Sequence, residues 1–323
     1  MYTSPPASAV DRAHVGLLLE VARRYWEAGQ SQAEIAAAVG FSRPSVSRLL
    51  AEARRRGVVS ITIGHPLERL ARTEARLKQR YGLKQVRVAD ATTSPDEVFR
   101  CAAALLAEAC ADDSLIVVSN GRAVAGTVAA MPQLRRPRAK VVQMIGALGR
   151  DNPLTDSPEV CRSLAERLDG SFHALAVPLV LSSPEIAAQM RREDQIAATL
   201  ALGGRADIAL VGVGAVQVGH SGHIFDSYET PADARALARA GAVAHICGHH
   251  VTGAGEHMRT PICARTLSIE PERLRRVPLS IGVAHGLDKV EAIKAVIAGR
   301  FISALVTDRF TAESLLGGAP PPR

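Results

Sequence analysis

Aromatic side chains are scarce in this chain: one Trp, four Tyr and six Phe among 323 residues, 3% in all. An interior without large rings must be filled by aliphatic residues. Hydrophobic residues still make up 47% of the sequence, enough for a sizeable core and too many for a disordered chain. Cysteine is sparse as well. Cys101, Cys110, Cys161, Cys247 and Cys263 are odd in number and contain no CxxC pair. That argues against a disulfide framework and for small buried thiols in a reduced, cytoplasmic protein. No run of about 18 apolar residues occurs, so no membrane span is expected. The opening MYTSPPASAVDRAH lacks the charged-then-apolar pattern of a secretory leader and reads as a short disordered tail. The closing GGAPPPR reads as a frayed terminus.

What is present is unevenly distributed. Residues 1–80 hold 13 Lys and Arg against 7 Asp and Glu, whereas the remainder holds 26 against 25. The excess positive charge therefore sits in the N-terminal quarter, where a concentrated basic patch points to a polyanionic partner. A chain of this length fits two or three domains. The fall in charge density near residues 64–85 sets the expected boundary: 1–63 as one domain, 64–323 as a linker helix and a second.

The N-terminal quarter has strong local punctuation. Residues 15–28 place Leu18, Val21, Ala22 and Tyr25 on one helical face, ended by Gly29. Ser31 with Glu34 three residues on is a capping box for a second helix. Gly40 stops that helix, because a tight turn between helices needs a residue that accepts positive φ. Ser42 caps a third helix, with Pro44 in its first turn, where the missing N–H does no harm. A small residue (Ala36), a turn glycine four later and apolar contacts at Ile35, Val39, Val46 and Leu49 complete the requirements of a helix-turn-helix. The candidate DNA-contacting residues are Gln32, Ser42, Arg43, Pro44, Ser45, Ser47 and Arg48, with Arg54 and Arg55 on phosphates or in solvent. Hydroxyls and arginines suit phosphates and the O6 and N7 edges of guanine. One such unit carries little specificity, so a dimer on a two-fold double-stranded DNA site is expected. GVVSITIGHP alternates like a strand and reads as a small wing. LERLARTEARLKQRY reads as a charged linker helix whose seam, Leu70, Leu77 and Tyr81, is available for dimerisation.

Beyond Gly82, the apolar runs LIVVS, KVVQMIG, ALAVPLV, ADIALVGVG, LSIGVA and SALVTD alternate with helical segments at 95–111, 158–168, 184–201 and 288–298. The fold class is thus α/β: an all-α winged helix-turn-helix domain followed by a doubly wound, mostly parallel sheet covered on both faces.

The stretch YWEAGQSQAEIAAAVGFSRPSVSRLLAEARRRGVVSITI resembles the N-terminus of the SorC-type sugar-binding transcriptional regulators of bacteria. Gln32, Ile35, Ala36, Ser42, Val46, Ser47, Arg48, Leu49, Leu50, Ala53, Gly57 and Val59 carry the likeness. It continues in VVQMIGALG, ADIALVGVG, GVAHGLDKVEAIKAVIAG and LVTDRFTAESLL, from about residue 15 to 317. The resemblance implies a C-terminal domain related in fold to sugar-phosphate isomerases and deaminases. It also implies that a phosphorylated sugar, polyol or related carbohydrate bound there sets operator affinity. A sugar-phosphate isomerase or deaminase with an appended DNA-binding domain is the alternative, but no paired acid and base marks a catalytic segment, so no enzyme, catalytic residue or cofactor is expected.

Ligands of open parallel sheets bind at strand C-terminal ends, near helix N-termini. Three loops qualify: Ser119, Asn120, Gly121 and Arg122; Gly146 and Ala147; Gly212 and Gly214. A glycine after a strand is also an ordinary turn, and it is the three loops together that predict a pocket. Lys289 matches the lysine that the resemblance places in the effector pocket; on its own it reads equally as an exposed helix residue. The chain departs from the family pattern at Asn120-Gly121-Arg122-Ala123, where Trp-Gly-Arg-Thr is common. A second departure is Gly146-Ala147, where Gly-Gly is usual. A third is His245, where an acid expected to hold sugar hydroxyls is replaced. These changes point to a more anionic ligand, or to loss of effector binding. His220, His223, His245, His249, His250 and His257 crowd into 38 residues, but their spacing matches no zinc pattern. Pocket-lining or surface histidine is the expectation, and no metal is assigned.

Overall fold

The computed structural model describes residues 9–59, 66–90, 94–149, 155–217, 223–225 and 228–318. Contacts divide the chain into two compact units, Met1–His65 and Pro66–Arg323.

The first unit is three helices: α1 (Ala9–Trp26), α2 (Gln32–Val39) and α3 (Arg43–Arg55). Their ends lie where the capping residues put them, except that α1 begins well ahead of residue 15. Ser31 accepts from the Glu34 N–H while Glu34 accepts from the Ser31 N–H, and Gly40 closes α2 at φ 70°. Ser42 accepts from the Ser45 N–H at the head of α3. Val21, Ile35, Ala36, Val46 and Leu50 form the core, with Val39 and Leu49 packed half-buried against it. The wing expected over 57–66 lies mostly outside the described residues, as do the outermost residues of both tails.

The second unit opens with α4 (Pro66–Tyr81), then runs β1 (Gln85–Ala89), α5 (Asp96–Ala109), β2 (Leu115–Val118), α6 (Arg122–Ala129), β3 (Lys140–Gln143), α7 (Ser157–Leu168) and β4 (Ser171–His173). It continues through α8 (Pro184–Met190), α9 (Asp194–Gly203), β5 (Ile208–Gly212), β6 (Gly214–Ala215), α10 (Pro231–Arg239), β7 (Ala242–Ile246), β8 (His249–Thr252) and α11 (Pro271–Leu274). It ends with β9 (Leu279–Val283), α12 (Val290–Ala298), β10 (Ala304–Asp308) and α13 (Arg309–Leu315). Seven strands form one parallel sheet in the order β1-β10-β9-β5-β2-β3-β4, and β6, β7 and β8 form a small antiparallel one. Alternate residues of a strand face opposite sides, and both sides are filled. Ile208 and Leu210 pack with α5, α6 and α7, whereas Ala209 and Val211 join the core on the other face.

Three expectations are corrected. The α4 seam is not free for a partner: Leu70 and Leu77 are buried in this unit's own core, and the Tyr81 hydroxyl donates to the Leu315 carbonyl at 2.7 Å. ALAVPLV is not a ladder strand. The edge strand precedes it at 171–173, and around Pro178, which has no N–H to donate, pairing shrinks to isolated bridges with Ala147 and Thr266. The helix expected over 184–201 is two helices, because the Glu193 backbone turns extended and starts α9 afresh.

Candidate functional site

On the first unit, Arg43, Pro44, Ser47 and Arg48 are exposed on α3, opposite Val46 and Leu50, which are buried. Gln32 begins α2 and is half-buried. Ser42 and Ser45 are partly committed to the fold, their hydroxyls lying 2.9 Å apart at the helix start. Arg54 stacks over Trp26 with 5.3 Å to the ring centroid, Arg55 is exposed, and Arg56 pairs with Glu52 at 2.8 Å. The arginine triplet thus splits: one stacked cation, one exposed and one ion-paired within its own helix.

On the second unit, the chain leaves β2 outward to β3 and β4 on one side and returns to β5 on the other. Such a reversal of strand order opens a crevice at the strand C-terminal ends. The loops after β2 and β5 meet there: the Gly212 N–H donates to Ser119 Oγ at 3.3 Å. A Cβ on Gly212 would lie 3.6 Å from the Asn120 carbonyl oxygen. Asn120 is buried, and among the described residues its Nδ2 has no hydrogen-bond partner. Gly121, at φ 102°, turns the chain into α6 with no side-chain cap, leaving exposed Arg122 as the first residue of the helix.

The second loop is differently built. The Gly146 N–H donates to the Leu267 carbonyl and the Ala147 N–H to the Val177 carbonyl, both at 2.8 Å. The Leu148 and Gly149 N–H groups donate to Asp156. Next to Asp156, the Thr155 carbonyl accepts from the Gly121 N–H at 3.0 Å. Residues 155–156 thereby join the first two loops. The backbone donors of 146–149 are thus bonded inside the protein.

Lys289 caps the start of α12, its Nζ 3.7 Å from Asp288. Preceding it in the same loop is His285, which sequence reasoning did not single out. The signal was there, a histidine and glycine directly after the LSIGV strand. The Gly286 N–H donates to Asp308 Oδ2 and Thr311 Oγ1, both at 2.9 Å, and His285 rests edge-on against Phe99 at 5.7 Å. Burial holds the imidazole below its ordinary pKa; Asp308 opposes this, and Arg122 and Lys289 add to it. Arg122 at the head of α6 and Lys289 at the head of α12 follow the parallel strands β2 and β9, so both stand at the same end of the sheet.

His245 is buried on β7 opposite Gly214 of β6. A Cβ on Gly214 would stand 1.8 Å from His245 Nε2, so the ring lies on the glycine itself. Phe225 meets His245 edge-on at 5.2 Å and stacks on His250 at 4.5 Å. Burial pushes His250 down to about 4, so it is neutral at physiological pH. Of the remaining clustered histidines, His220 lies outside the described residues, and so does the His223 side chain. The site residues therefore gather as three connected groups, Ser119 to Arg122, Gly212 to Gly214 with His245, and His285 to Lys289.

A second opening lies at the other end of the strands, between Leu115, Arg138, Lys140, Arg205 and Asp207. It lies away from helix N-termini and from all the loops above. Among the described residues no helix is long and apolar enough to cross a membrane.

The Sugar-bind family model, a sugar-binding domain, matches residues 65–317. The sorbitol operon regulator of Klebsiella pneumoniae is 32% identical over 313 residues, spanning 94% of this chain and 98% of that protein. The deoxyribonucleoside regulator of Bacillus subtilis is 29% identical over 313 residues, spanning 95% and 99%. The crystal structure of full-length SorC from Klebsiella pneumoniae matches with a TM-score of 0.73 at 29% identity, covering 94% of this chain and 99% of that one.

Proposed function

The chain belongs to the SorC-type family of sugar-binding transcriptional regulators, and on that premise we propose how its two units divide the work. Residues 1–63 bind operator DNA through the outer face of α3. Residues 64–323 bind a small polyhydroxylated effector at the ends of β2, β5 and β9. Relatives named for sorbitol and for deoxyribonucleosides agree with a small polyol or sugar class. The observation that carries the phosphorylated form is that Arg122 and Lys289 stand at the heads of α6 and α12, which follow β2 and β9 of the parallel sheet. Two cations beside a helix N-terminus suit a phosphate, and buried Asn120 offers an unspent amide donor to ligand hydroxyls. The effector shifts the protein between DNA-binding states by its differential affinity for them. A two-fold operator and a homodimeric or homotetrameric regulator follow from the single reading helix per chain.

Gel-shift titrations with sugar and polyol phosphates beside their unphosphorylated parents test this reading. The phosphorylated form is expected to move the operator midpoint at lower concentration. Equal potency of the parent compound would remove the phosphate from the proposal. Incubation with the same phosphates is expected to leave them chemically unchanged by chromatography; turnover would favour the isomerase reading.

Arg48→Ala is expected to weaken operator binding by about 1–3 kcal/mol and to relax preference at one base position, as for a base-reading arginine. Arg55→Ala is expected to weaken all sequences alike and to flatten the salt dependence. Unchanged affinity of the Arg48 variant across operator variants would remove α3 as the reading helix.

A further inference from the structure

Apart from the effector crevice, one cluster in the second unit has the chemistry of a metal centre. His249 opens β8, His257 follows in the next turn, and Cys263 begins a short 3-10 helix. His249 Nδ1 is 3.0 Å from Cys263 Sγ, and His257 Nε2 is 3.1 Å from each of them. His249 is fully buried, and the His257 side chain is 9% exposed.

Hydrogen-bond counting makes this triangle unusual. Ser268 Oγ donates to the Ile269 carbonyl and therefore accepts from His249 Nε2 at 2.7 Å. In the tautomer that satisfies both contacts, the His249 proton is on Nε2 and a lone pair is left on Nδ1. The Glu272 carboxylate accepts from His257 Nδ1 at 3.4 Å, which leaves a lone pair on Nε2. Two lone pairs and a sulfur thus converge with one thiol proton among them. That proton can serve one side of the triangle; the other two sides set acceptor against acceptor. A cation in the centre satisfies all three.

We propose that His249 Nδ1, His257 Nε2 and Cys263 Sγ bind one divalent cation of the zinc class, with a fourth position open. Imidazole and thiolate ligands select zinc over magnesium, calcium or manganese. With bonds of about 2.0–2.1 Å to nitrogen and about 2.3 Å to sulfur, a tetrahedral site needs about 3.3 Å between the nitrogens and about 3.6 Å from nitrogen to sulfur, so the present triangle has to open by roughly 0.2–0.6 Å along each side. The outer shell is also of the right kind, since each ligating imidazole directs its other nitrogen to an oxygen partner, Ser268 or Glu272. Arg191 and Arg259 bring like charge nearby, but Arg191 is paired with Glu270 at 3.2 Å, and the thiolate and Glu272 supply negative charge. The Cys263 proton leaves as the metal–sulfur bond forms. The ion would tie β8 to the segment after it, and β8 pairs with the strand that holds His245 against Gly214.

The test is a Co²⁺ titration of the chelator-treated full-length protein. One equivalent is expected to give a sulfur-to-cobalt charge-transfer band and intense tetrahedral ligand-field bands, both removed by one equivalent of Zn²⁺. Cys263→Ser should abolish the charge-transfer band, and Glu272→Gln should keep it while weakening affinity about 10–100-fold. Cys101→Ser, which alters a half-buried thiol elsewhere, should change nothing. No charge-transfer band in the wild type, or one that survives Cys263→Ser, overturns the site. Should the serine variant fail to fold, the wild-type spectrum and the Glu272→Gln affinity decide it.

Discussion

Arg122→Ala is expected to bind operator DNA with wild-type affinity and to lose its response to effector. The side chain sits on the first residue of α6 and is exposed. Its removal should therefore leave folding and the DNA-binding unit alone. A hydrogen bond to a charged group contributes about 1.5–3 kcal/mol, so the effector should bind roughly 10- to 150-fold more weakly. Arg122→Lys separates charge from shape. Lysine keeps the cation but not the planar fork that grips two phosphate oxygens, and should recover only part of the response. Calorimetric titration with a responsive sugar phosphate, alongside gel shifts, makes the measurement. A normal effector midpoint in Arg122→Ala would remove the loop after β2 from the pocket.

The N-terminal unit was legible because its signals are local. Ser31, Glu34, Gly40, Ser42 and Pro44 each act within one turn of themselves, and each ends or starts a helix where expected. The parallel strands were legible for a related reason: a strand buried on both faces must be apolar throughout. Their order was not. Nothing in LIVVS says that β5 lies on one side of it and β3 on the other, yet that reversal makes the crevice. The α4 seam shows the same limit. Leu70 and Leu77 at helical spacing announce a buried face, but a domain core and a second chain would bury it equally well.

The chemistry that sequence reasoning missed is the chemistry that depends on distant contacts. His285 became notable only through its edge-on packing against Phe99 and the bonds of its loop to Asp308 and Thr311, all distant in sequence. The histidine-rich segment failed as a motif because its third ligand is Cys263, after intervals of eight and six residues from His249 to His257 to Cys263. Those intervals suit a strand, a turn and a 3-10 helix, and no compact zinc motif. The tautomers that make the cluster stand out are set by Ser268 and Glu272, which no spacing rule connects to either histidine.

The second large effect concerns Gly214. In Gly214→Ala the new methyl would lie 1.8 Å from His245 Nε2 and 2.1 Å from Cε1, so the ring cannot stay. Nor can it swing freely, because Phe225 lies edge-on against it and is itself stacked on His250. Overpacking of this kind costs about 1–3 kcal/mol, which lowers the melting temperature of a unit this size by roughly 2–10 °C. His245→Ala alone removes the ring and leaves space over Gly214. In the Gly214→Ala, His245→Ala double variant the methyl occupies that space, and most of the stability lost to Gly214→Ala should return. The cycle should give strongly non-additive energies, as for residues in contact. Thermal denaturation of the four proteins measures this; additive losses would mean that His245 does not lie on Gly214. The same cycle bears on ligand choice. The ring that replaces an expected acid is held in place by the absence of a side chain opposite. If His245 contacts the effector, Gly214→Ala should weaken effector binding as much as His245→Ala does, although residue 214 contributes only backbone to the pocket.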